Sequence, residues 1–153
     1  MNIFILDYDL RKCAKYHNDK HVVKMILETA QLLCSAHWEK GSEAPYKKTH
    51  SNHPCAVWTR ESKQNYIWLC KLGLQLCKEF EFRRKKKHKT KEVILWCIRN
   101  VPKLDNIGLT EFTLAMPDEC KEKDAVESYR NYYKKEKRHL AVWSKRNKPY
   151  WYV

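Results

Sequence analysis

The stretch Tyr16–Leu33, YHNDKHVVKMILETAQLL, lays an apolar and a polar stripe side by side. Val22, Ile26, Ala30 and Leu33 recur every three or four residues, the period of a helix that buries one face. His21, Lys24, Glu28 and Gln31 keep the same period, so all four project from an adjoining side. Read as surface, that stripe is a solvated face whose Lys24–Glu28 pair contributes roughly a few tenths of a kcal/mol. His17 lies one turn before His21, and two histidines so spaced also suit a polar site for an anionic ligand.

Working outward, the sequence predicts an all-α fold over residues 1–153. It would be a single compact domain of four to five helices with a long central helix and an irregular, basic and aromatic C-terminal tail. Three glycines and five prolines are too few turn signals for many short strands. Met1–Leu6 is a short apolar start, and Asp9 caps a brief helix through Tyr16. The second helix runs from about His21 to Trp38. A polar loop follows, and Asn52 or His53 caps a third helix with Pro54 at its first position. Val57, Tyr66, Leu69, Leu72, Leu76 and Phe80 give that helix one continuous apolar face, carrying it unbroken to the basic run Arg83–Lys89. Thr90 caps a short helix that stops before Pro102. Asp124 and Glu127 spell a capping box for the last helix, Ala125 to about Leu140.

Net charge is +13, which concerns partners and not fold. Arg83–Lys89 is basic or histidine at every position. Lys134, Lys135, Lys137, Arg138, Lys145, Arg146 and Lys148 form a second basic region, interleaved with Tyr132, Tyr133, Trp143, Tyr150, Trp151 and Tyr152. Cations hold phosphates and aromatic faces stack on bases, so the expected partner is DNA or a small nucleotide. No apolar run approaches membrane-spanning length, and no signal peptide is evident. Seven cysteines without a CxxC pair read as free thiols of a reducing cytoplasm. Cys34, His37, His50 and His53 have ligand types and spacing that would also suit zinc, as an alternative to helix packing and capping; no cofactor is otherwise expected.

Two resemblances add to these readings. MNIFILDYD followed by HNDKHVVKM is similar to a group of small proteins of tailed phages and large DNA viruses. The short apolar start leading into a polar-striped helix, the loop THSNHPCAVW before a long helix, and the C-terminal PYWYV together resemble the pyrimidine-dimer DNA glycosylases of the endonuclease V type. That resemblance implies a nucleophilic α-amine at residue 1. It would attack the sugar C1′ of a lesion nucleotide, form a Schiff base and cleave the strand by β-elimination. An α-amine, with an ordinary pKa of about 7.7–8.0, is partly uncharged at neutral pH. Met1 would carry it, since a Met-Asn start keeps its methionine. The family glutamate, which handles protons, falls at Lys24 or Met25, and Glu28 lies one turn on. The catalytic set is therefore Met1, Glu28 and Lys24. The contact set for nucleic acid or nucleotide is Asn2, His17, Lys20, His21, His50, His53, Arg60 and Trp151. An inactive relative that sequesters a phosphate-bearing nucleotide, or a nonspecific DNA binder, is the alternative.

Overall fold

The computed structural model describes residues 1–153 and is entirely helical and irregular, without strands. The helices are α1 (Leu10–Tyr16), α2 (Asp19–Glu39), α3 (Pro54–Glu61), α4 (Lys63–Arg84), α5 (Lys91–Arg99) and α6 (Ala125–Glu136), with 3-10 turns at Asp118–Cys120 and Arg138–Leu140. None is long and apolar enough to cross a membrane. The caps follow from the residues. Asp9, Asn18, His53 and Asp124 each accept the expected backbone N–H at an N-terminus, and Pro54 opens α3. Thr90 stands before α5 but gives it no side-chain cap; its hydroxyl pairs with Tyr46 instead.

One expected helix is two. The apolar face from Val57 to Phe80 is not continuous, because the chain turns extended at Ser62 (φ −146°, ψ 154°). Ser62 ends α3 and caps α4, its hydroxyl accepting from Asn65 N–H. The break is filled from far along the chain: Lys63 N–H donates to Asp105 O, and Asn65 exchanges hydrogen bonds with Thr110. Val57 is left exposed. The last helix also ends early, at Glu136, and tightens into a 3-10 turn.

A core of 31 buried side chains joins the elements, α2 and α4 forming its central pair. Gly73 of α4 lets α2 and α5 close in. A Cβ there would lie 2.9 Å from Thr29 Cγ2 and 3.0 Å from Ile94 Cδ1. The extended segment Ile3–Leu6 is buried, so the amino end is threaded into this core. All seven cysteines are free and buried, packing as small apolar groups.

The C-terminal tail is clamped on by charge. Buried Arg83 donates to Glu79, Asp19 and the carbonyls of Lys15 and His17. Arg146, from the tail, takes both oxygens of Glu79, and Ser144 caps Asp19. Burial would raise both carboxyls, but hydrogen bonds from Ser144 and Arg83 hold Asp19 below its ordinary value, and those from Arg146 and Arg83 do the same for Glu79.

Candidate active site at the amino terminus

The threaded amino end runs against the middle of α2. Met1's α-ammonium lies 3.5 Å from Glu28 Oε1, and Asn2 N–H donates to the same oxygen at 3.1 Å. Lys24 Nζ is 3.8 Å from Glu28 Oε2, one helical turn away and mostly exposed. Glu28 itself is buried to 7% exposure, so its carboxylate faces the amine and not bulk water. Met25 is buried in the core.

Asn2 is the hub that fixes this geometry. Its Nδ2 donates to Ala115 O at 2.8 Å, and its Oδ1 accepts from Ile3 N–H at 2.8 Å and from the Tyr129 hydroxyl at 3.2 Å. Tyr129 belongs to α6, and it also touches Thr113 and Ala115. Two segments that lie more than a hundred residues further along the chain, the stretch at Ala115 and α6, thereby hold the backbone of the amino end. The loop before α3 closes another side. His53 Nδ1 accepts from Cys55 N–H, Arg60 donates to Ser51 O, and His50 pairs with Thr49. Burial, then the charge of Met1's ammonium and of His50, lowers the pKa of His53 and keeps it neutral. Lys20 is exposed on α2 one turn before Lys24.

Two histidines of the expected contact set do not reach this surface. His17 is fully buried, its Nδ1 bonded to Cys13 O at 2.7 Å. His21 stacks on Phe4 at 4.3 Å and shares a 2.7 Å hydrogen bond with the Tyr133 hydroxyl. Burial pushes them down to about 4 and about 3, so both are neutral packing groups and cannot offer charge to a phosphate. Trp151 is likewise covered, lying on Tyr16 and Tyr133 with Arg130 5.1 Å over its ring, which leaves no face for a base. Nor do Cys34, His37, His50 and His53 converge as zinc ligands: no group of three or more metal-binding side chains forms. Cys34 lies against Cys97, His37 is committed to Tyr66, and His53 caps α3.

What sequence reading missed is the support: Tyr129, Ala115 and Cys55, whose Sγ donates to Asn2 Oδ1 at 3.6 Å. Their separation along the chain leaves no local signal. The family model described as "Pyrimidine dimer DNA glycosylase" matches residues 1–93, which include Met1, Asn2, Lys24, Glu28 and the loop before α3. Neither a curated protein nor a solved structure matches the chain. With well over half its length matched, the chain belongs to that family.

Proposed function

We propose, on the premise of that membership, that the protein is a DNA N-glycosylase with abasic-site lyase activity. The α-amine of Met1 is the nucleophile and Glu28 the acid/base. The observation that carries the reading is the 3.5 Å approach of the amine to a buried carboxylate. The neutral amine attacks C1′ of the lesion nucleotide. The glycosidic C–N bond breaks, its electron pair leaves with the base, and the base takes up a proton. The adduct nitrogen gives up a proton, the C1′–O4′ bond breaks and O4′ takes a proton, so the sugar opens to an iminium ion whose positive charge faces the Glu28 carboxylate. Loss of a C2′ proton to a base then expels the 3′ phosphate by β-elimination. Glu28 is oriented for this by the Asn2 backbone N–H, which leaves its second oxygen facing Lys24. Neutral His53, its Nδ1 taken by Cys55 N–H, presents Nε2–H as a hydrogen-bond donor at the rim. Lys20, Lys24 and Arg60 supply cations for the flanking phosphates.

Borohydride reduction in the presence of duplex DNA carrying an abasic site, and in parallel a thymine dimer, tests the reading. A reduced adduct mapping to the N-terminal peptide is the expected result. DNA binding without any adduct would overturn catalysis. It would favour the second reading, a binding protein on this scaffold, which Lys24 at the family's glutamate position supports: a cation there holds phosphate better than it stabilises a developing iminium charge.

A further inference from the structure

The basic run Arg83–Lys89 is not used by the Met1 site, and only part of it is structural. Arg83 is buried in the tail clamp. Lys85 closes α4 in the left-handed conformation (φ 54°), and the chain then crosses over α2. His88 pins that crossing: its Nε2–H donates to Val23 O at 3.1 Å, its Nδ1 accepts from Thr90 N–H at 3.1 Å, and its ring packs on Phe80. Under the crossing lies an open cavity of about 610 Å³, within the size range of small-molecule sites.

Its lining is sorted by chemistry. Val23, Leu27 and Phe80 give an apolar floor, with Leu27 41% exposed. Tyr46 and His88 add flat walls. Lys24, Lys86, Lys87 and Lys89 ring the opening, and no carboxylate lines it. Lys86, Lys87 and Lys89 enter no ion pair. The hydroxyls of Tyr46 and Thr90, 2.9 Å apart, share one hydrogen bond, which leaves a second hydroxyl proton free to meet a polar ring edge. An apolar slot with a hydrogen-bonding edge and three unneutralised ammoniums is complementary to a planar heterocycle carrying several phosphates.

We infer that this cavity is a binding site for a free nucleoside triphosphate, its base on Leu27, Phe80 and Tyr46 and its phosphates on Lys86, Lys87 and Lys89. The assignment does not depend on the Met1 chemistry, because it requires no reaction. Lys24 borders both sites and is the only side chain here named in both.

Calorimetric titration of the full chain with ATP, GTP and dTTP, beside inorganic triphosphate, tests it. A nucleoside triphosphate should bind at one site at least about fivefold more tightly than inorganic triphosphate, the low end of a base-stacking contribution. The exposed triple variant Lys86→Ala/Lys87→Ala/Lys89→Ala should weaken it by about tenfold to a hundredfold, from about two- to fivefold per lysine. Leu27→Asn should erase the preference for nucleoside over inorganic triphosphate, and thermal melting of each variant checks that the fold is kept. Equal affinity for inorganic triphosphate, or no effect of the lysine variant, overturns the assignment. So does a lysine variant that loses only DNA binding from a protein that binds no nucleotide; that result would make the crossing a DNA contact.

Discussion

Acidification between pH 8 and pH 5 should destabilise this protein well before its carboxylates titrate, and the cause is the pair of histidines buried behind the amino end. His17 and His21 are neutral in the fold, with pKa values of about 4 and about 3 against an ordinary 6.5. Burial is the main cause for each. Around His21 the neighbouring groups His17, Lys137, Lys24 and His139, in that order, oppose protonation further. Around His17, Arg83 opposes it while Cys13 O and Glu79 favour it. The folded-state values are depressed, so from pH 6.5 downward the unfolded chain binds protons that the folded chain refuses. Stability is therefore full above that pH and falls with acid. The slope approaches about 1.4 kcal/mol per pH unit for each histidine only below pH 6.5, so the pair removes about 3 kcal/mol between pH 6.5 and pH 5. That is a large share of an ordinary domain stability of about 5–15 kcal/mol. His37, His53 and His88, also held down by burial, act in the same direction. Asp19 and Glu79 have lowered values and lose their contribution only below the usual carboxylate range, outside this window. Urea unfolding followed by circular dichroism at pH 8, 7, 6 and 5 measures the slope. His21→Gln, which keeps a neutral partner for Tyr133, should flatten it by about half of the pair's contribution. A stability constant to within about 1 kcal/mol down to pH 5 would refute the reasoning.

The remaining predictions concern single side chains. Glu28→Gln keeps the acceptor for Asn2 N–H but removes the charge, so borohydride trapping should slow by about 10²–10⁴-fold while DNA binding holds or tightens; unchanged trapping would place the acid/base elsewhere. Arg83→Met leaves Glu79 with Arg146 alone and strips the carbonyls of Lys15 and His17 of a partner, and should cost about 3–5 kcal/mol in denaturant titration. Gly73→Ala trades a gain in helix propensity for a Cβ pressed on Thr29 and Ile94, with an expected net loss of about 1–2 kcal/mol; a rise in melting temperature would show that the α2–α4 crossing can relax. Ser62→Ala removes the cap at the α3–α4 break and should lower stability by about 1 kcal/mol with helix content unchanged.

Local signals in the chain were enough for the helix class, most helix boundaries and the separation of α2 into two stripes. Caps and periodicity act over three or four residues, and Asp9, Pro54, Asp124 and the Val22–Leu33 ladder all lie within that reach. The Ser62 break escaped for the opposite reason. Its apolar series is compatible with one helix, and what favours two is Asp105 and Thr110, some forty residues away. The polar stripe shows the same division. Its membership was readable, but whether a polar residue on it faces water, ligand or core depends on what packs above it. Phe4 and Tyr133 cover His21, and the amino end covers Glu28 while leaving Lys24 in solvent.

By itself, then, the order of residues determined an all-helical chain of high positive charge, a short apolar start and a carboxylate one turn beyond a lysine. Only the tertiary structure decided that Asn2, tied to Ala115 and Tyr129, brings the first amine to that carboxylate, and that His17, His21 and Trp151 are packing groups. The physical reason is range. Propensity and capping are encoded in neighbouring residues, whereas burial, and with it the protonation state and availability of a side chain, is set by segments that meet only once the core has formed.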